Sequence, residues 1–170
     1  MANPTMTLIG SPITVGSGGV SSVTFSSIPA TYTDLVVKIS ARGDASGGIA
    51  LNVAFNGSTS SFTRMMLYTD NGTSASSYTD SANEPGRVNS TSTTSNTFTN
   101  DEFYIPNYTL SRYKSFSSDT TLENNATATY FGMYAMLWSQ TAAITSITLN
   151  PSTGNLAQYS TFYLYGINNS

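Results

Sequence analysis

The stretch from Thr129 to Trp138 constrains the fold of this chain more than any other. It reads Thr-Tyr-Phe-Gly-Met-Tyr-Ala-Met-Leu-Trp and contains neither a charged residue nor a proline. Successive side chains of an extended strand point to opposite faces, and here both alternating sets are largely apolar. That pattern is typical of a strand covered on both sides. Because the aromatic content favours a strand over a helix, we expect a buried central β-strand here.

Segments of alternating apolar and polar residues lie on both sides of this stretch. In the clearest of them, Leu35, Val37 and Ile39 alternate with residues that include a lysine and a serine. Turn-forming Gly, Pro, Asn and Ser residues separate the segments, and no amphipathic helix pattern is present. The sequence therefore predicts an all-β fold, a single antiparallel β-sandwich that is jelly-roll-like and has roughly ten strands. We expect one domain over residues 1–170.

The segment 70–97 interrupts this regular pattern. Apolar residues almost vanish, and runs of Ser, Thr, Asn and Gly take their place. Such composition indicates a long Ser/Thr-rich excursion, which is unusual inside a compact domain. Two interpretations stay open: a mobile loop, or a binding arm that becomes ordered against another chain.

The composition excludes several classes of function. The chain has no histidine and no cysteine, so a Ser-His-Asp triad, thiolate chemistry and a disulfide framework are all ruled out. With a net charge of -3 and only six scattered basic residues, we expect no nucleic-acid partner. No apolar stretch approaches the length of a membrane span, and no signal-peptide pattern starts the chain, so we expect no membrane partner and folding in a cytoplasm.

The carboxylates do not form an obvious catalytic pair. Asp101 and Glu102 are adjacent and would point to opposite faces of a strand, whereas a glycosidase needs two carboxylates facing each other. Oxygen ligands for calcium could come from Asp70, Asn71 and Thr73, or from Asp80, Asn83 and Glu84, but neither set has the spacing of a known calcium loop. We therefore expect no enzymatic activity, no cofactor and no bound metal.

Tyrosines around a predicted hairpin are candidates for an exposed contact surface. Tyr104, Tyr108 and Tyr113 lie around Pro106-Asn107 and could stack on a sugar or on a protein partner. Tyrosine is also enriched in protein cores and at ordinary interfaces, which is the competing interpretation.

Three segments resemble a family of proteins. They are Ile28-Pro29-Ala30-Thr31-Tyr32-Thr33-Asp34-Leu35, Leu51-Asn52-Val53-Ala54-Phe55-Asn56-Gly57 and Ser160-Thr161-Phe162-Tyr163-Leu164-Tyr165-Gly166-Ile167. They look like parts of small β-sandwich virion structural proteins of tailed bacteriophages, of the capsid decoration (cement) or tail-fibre type. The resemblance carries over no catalytic motif.

The resemblance implies a structural role in the virion. The first expectation is a capsid decoration protein that binds the major capsid protein on the outer capsid surface as a homotrimer, after assembly in the host cytoplasm. The lack of a helical shaft and the compact single domain favour it. The alternative is a tail-fibre or receptor-binding domain that recognises host surface glycans through tyrosines and the Ser/Thr-rich segment.

Overall fold

The computed structural model describes residues 5–72, 74–123 and 129–168, and all regular structure in these ranges is β. The strands, in chain order, are β1 (Met6–Leu8), β2 (Ile13–Thr14), β3 (Val23–Phe25), β4 (Asp34–Ala41), β5 (Ile49–Phe55), β6 (Phe62–Asp70), β7 (Ala75–Asp80), β8 (Gly86–Val88), β9 (Thr99–Ile105), β10 (Lys114–Leu122), β11 (Tyr130–Trp138), β12 (Ile147–Pro151) and β13 (Thr161–Ile167).

Two antiparallel sheets form the sandwich. The large sheet has nine strands in the order β1-β13-β4-β9-β10-β11-β6-β7, and β2 also pairs with β13. The small sheet has four strands in the order β3-β12-β5-β8. The sheets do not close into a barrel, so each keeps two open edges. The predicted all-β antiparallel sandwich is confirmed, with more strands than expected.

An aromatic cluster fills the space between the sheets near the end of β11. Phe55 of the small sheet contacts Phe62, Phe116 and Trp138 of the large sheet, with ring centroids between 5.3 and 5.5 Å apart. Rings at such distances in tilted and edge-to-face arrangements stabilise a core beyond simple area burial. This cluster attaches β11 firmly by one of its faces.

The interpretation of 70–97 as a continuous loop is wrong for two parts of that segment. Residues 75–80 form β7, and residues 86–88 form β8. Strand β7 lacks alternating apolar residues because it is an edge strand exposed on both faces and therefore needs no buried side chains. The later part is also anchored, since the Arg42 guanidinium donates to the carbonyl oxygens of Thr93, Thr94 and Thr97 at 2.9–3.1 Å.

The expectation that β11 is covered on both sides is wrong for the single chain. Its residues alternate strictly between a buried set, from Tyr130 to Trp138, and a set that starts with the exposed Phe131. The small sheet lies on the other side of the large one, so nothing in the described part of the chain covers the second set. One largely apolar face of β11 is therefore left on the surface.

Candidate functional site

The exposed set of β11 continues onto its neighbour β6 and forms one apolar surface. Met65 and Leu67 of β6 are 59% and 50% exposed, and Phe131 and Met133 of β11 are 44% and 53% exposed. Cross-strand pairing places Met133 opposite Leu67, and Ala135 opposite Met65. Side chains paired in this way on one face are direct neighbours. We call these five residues the apolar stripe.

The inner face of β11 explains why the stripe points outward. Gly132 lies inside, where an added Cβ would come within 2.9 Å of the rings of Tyr130 and Tyr134. The two tyrosine hydroxyls share a hydrogen bond of 2.6 Å across this glycine. Burial, reinforced by the Tyr130 hydroxyl, raises the pKa of Tyr134. Because side chains alternate, fixing these tyrosines inside forces Phe131 and Met133 to the outside.

Hydroxyl-bearing strands border the stripe on both sides. On one side, β10 places Ser117 opposite Ala135 and Asp119 opposite Met133. On the other side, β7 places Thr79 opposite Met65 and Ser77 opposite Leu67. The small side chains of Ala135 and Ser117 leave a shallow depression beside Met65. An apolar centre within a polar rim is the usual anatomy of a protein–protein interface.

Few charges lie near the stripe. Burial raises the pKa of Asp119, and the Glu102 carboxylate next to it raises that pKa further. Glu102 forms an ion pair with Lys38 on the next strand. The stripe itself carries no charge, so little desolvation of ions opposes its contact with another apolar surface.

The three tyrosines predicted as contact residues do not form one platform. Tyr113 is 58% exposed, and Tyr104 is 39% exposed with its hydroxyl donating to Asp34 Oδ2 at 2.6 Å. Tyr108 is completely buried and donates its hydroxyl to the carbonyl oxygen of Pro29. The prediction for Tyr108 is therefore corrected, because the turn after β9 directs its ring into the core rather than to the solvent.

Asp101 and Glu102 lie as their spacing predicts, and the acidic residues named above do not come together in one site. As predicted, Asp101 and Glu102 lie on opposite faces of β9, with Asp101 buried and Glu102 on the outer face. Asp80 and Glu84 both pair with the guanidinium of Arg64, at 2.7 and 3.0 Å. Among the described residues no group of three or more carboxylates could hold a metal ion. Thr73, one of the proposed calcium ligands, lies outside the described residues.

Sequence reasoning did not single out Met65 and Leu67. The signal was available, because both alternate with Phe62, Arg64 and Met66 along one strand. The alternation did not reveal that Met65 and Leu67 are exposed, because either alternating set of β6 side chains could have faced the core. Only the pairing of β6 with β11 determines which set is exposed.

The described residues contain no helix that is long and apolar enough to cross a membrane. Comparison of the chain with profiles of known protein families, with curated protein sequences and with solved structures finds no match in any of the three.

Proposed function

We propose that this chain is a non-enzymatic virion structural protein, a capsid decoration protein that docks on the outer capsid surface through the apolar stripe. One observation carries the proposal. The segment Thr129–Trp138 is apolar on both faces, yet the described part of the chain covers only one of them. An exposed apolar face of this kind typically marks a contact with another macromolecule. The resemblance to virion proteins supplies the class of partner, the major capsid protein.

The size of the stripe fits the centre of an interface. Its four large side chains are each about half exposed, which at ~200 Å² for a fully exposed large side chain gives roughly 400 Å² of apolar surface. A standard interface buries about 800 Å² on each partner. The stripe would supply the apolar half of that area, and the hydroxyl-rich surfaces of β7 and β10 would supply the polar rim.

The chemistry of the stripe favours a protein partner over a glycan. Met65, Leu67 and Met133 offer flexible apolar side chains that adapt to an irregular apolar surface. Sugar recognition relies on flat aromatic rings that carry nearby hydrogen-bond groups. The burial of Tyr108 removes the middle residue of the only tyrosine group that the sequence pointed to for glycans. We therefore retain capsid decoration over the tail-fibre alternative.

The copy number of the chain in purified virus particles tests this proposal. Quantitative mass spectrometry would measure this chain against the major capsid protein of the same particles. Decoration predicts a copy number comparable to that of the capsid protein. A handful of copies per particle would place the chain in the tail and reject the proposal, and so would its absence from particles.

A further inference from the structure

The described strands include one sheet edge that is long and unprotected. Strands β1, β3 and β8 end their sheets with three residues each, whereas β7 ends the large sheet with six. Natural proteins usually blunt an edge by shortness, lysine or proline. Strand β7, Ala-Ser-Ser-Tyr-Thr-Asp, has none of these devices. Its single charge, Asp80, is already paired with the Arg64 guanidinium.

The side chains of β7 would allow another strand to lie beside it. On the outer face β7 presents Ala75, Ser77 and Thr79, which are small and exposed. On the inner face Tyr78 is held by the Arg64 guanidinium, which donates to its hydroxyl at 2.9 Å. The backbone groups on the open side of β7 are paired with no other described strand. An edge of this kind accepts an additional strand by main-chain hydrogen bonds.

The geometry points to a second copy of this chain as that strand, with the two β7 edges paired antiparallel about a two-fold axis. In an antiparallel pair, residues directly opposite each other point to the same face. The outer residues of one β7 must therefore oppose the outer residues of the other. Two registers of this kind each overlap five residues of β7, one centred on Ser77 and the other on Tyr78. We take the first, which sets Ser77 against Ser77 of the second copy and Ala75 against Thr79, because it leaves the Asp80 carboxylate, already paired with Arg64, outside the overlap.

The area of the stripe favours this arrangement. Two copies joined at β7 turn their stripes to the same side of one continuous sheet. Because the intervening Ala75, Ser77 and Thr79 are small, the two stripes would lie on one surface and together expose roughly 800 Å² of apolar area, the apolar half of an interface about twice the standard size. The pairing of the two β7 edges does not depend on which protein the stripes contact. It predicts a dimer and not the homotrimer that the resemblance implies, because two identical edges pair with each other only around a two-fold axis.

Cysteine cross-linking tests the pairing directly, because the natural chain has no cysteine. In purified Ser77→Cys protein the two thiols would lie on opposed residues, with Cβ atoms about 5 Å apart, close to disulfide geometry. Mild oxidation is expected to give a covalent dimer at least about tenfold faster than in Ser76→Cys. Ser76 is also exposed on the same strand, but its copies would be diagonal neighbours on the inner face. Equal rates for the two variants would overturn the proposal.

Charge exchange at the same position gives a second test by sedimentation. The unmodified chain should sediment as a dimer at micromolar concentration. Ser77→Lys and Ser77→Glu should each raise the dissociation constant about fivefold, because two like charges would oppose each other. An equal mixture of the two variants should restore dimers. A monomer or a trimer for the unmodified chain, or no restoration in the mixture, would overturn the proposal.

Discussion

At the residue scale, the carboxyl group of Asp101 works against the stability of this fold. It is fully buried, and neither of its oxygens has a hydrogen-bond partner among the described residues. The backbone of Gly86 covers it so closely that an added Cβ would lie 3.4 Å from Asp101 Cγ. Burial raises the pKa of Asp101 well above its usual range and outweighs the lowering effect of the nearby Thr120 hydroxyl, while the charge of Asp119 adds a smaller increase. The folded chain therefore keeps the Asp101 proton to a higher pH than the unfolded chain does.

This carboxyl group makes stability depend on pH. The unfolded chain releases the Asp101 proton near pH 3.9, whereas the folded chain keeps it to a higher pH. The stability linked to Asp101 is fully present below about pH 4 and falls as the pH rises toward the raised pKa. We expect Asp101→Asn to flatten this decline and to be more stable than the natural chain at pH 7 by at least about 1 kcal/mol. Denaturant unfolding of the natural chain and of Asp101→Asn at pH 4 and pH 7 measures the free energy of unfolding and its change with pH. The same change with pH in the two proteins would contradict this role of Asp101.

At the element scale, the segment that follows β8 is held by side chains together with a few backbone hydrogen bonds, such as those from Gly43 N to Asn89 O and from Thr91 N to Ala45 O, and not by a continuous strand ladder. Arg42 reaches this segment from the end of β4 and its guanidinium bonds Thr93, Thr94 and Thr97. Asn89 and Ser90 next to it are buried. A cation that donates to several carbonyl oxygens gives an irregular segment a defined conformation without a sheet ladder.

Removal of the Arg42 side chain should loosen this segment. We expect Arg42→Ala to lower the free energy of unfolding by about 2 kcal/mol, since several charge-assisted hydrogen bonds are lost. Amide hydrogen exchange should accelerate in residues 91–98 while the aromatic core stays protected. Arg112→Ala is the matched control, because Arg112 is exposed and its loss should change stability by less than about 0.5 kcal/mol. Equal effects of the two variants would contradict the anchoring role.

The elements also show how far the sequence could predict the fold. The alternation in β4 and the apolar content of β11 were sufficient to predict strands, because burial imposes a period of two. Strand β7 could not be recognised, since an edge strand exposed on both faces has no buried side chains and keeps its conformation through pairing with β6. The exposure of Met65 and Leu67 depends on long-range pairing, which local patterns do not encode.

At the scale of the whole molecule, the unequal size of the two sheets produces the candidate site. The small sheet packs on one face of the large sheet, and the outer face of β6 and β11 stays bare within the described chain. Both alternating sets of side chains in β11 are nevertheless largely apolar. The apolar outer face is explained if a second macromolecule completes the cover that the sandwich leaves out.

The most direct test of this account is the occupancy of stripe variants on virus particles, measured as copies bound per capsid subunit. Leu67→Asp places a charge in the stripe, whereas Leu110→Asp places the same charge on a leucine that is similarly exposed outside it, at 44% against 50%. Both variants should fold with natural stability. We expect Leu67→Asp to bind about tenfold more weakly, because a buried charge at the centre of an interface costs more than 1 kcal/mol, and Leu110→Asp to bind like the natural chain. Equal occupancy of both variants would contradict the assignment of the stripe as the docking surface.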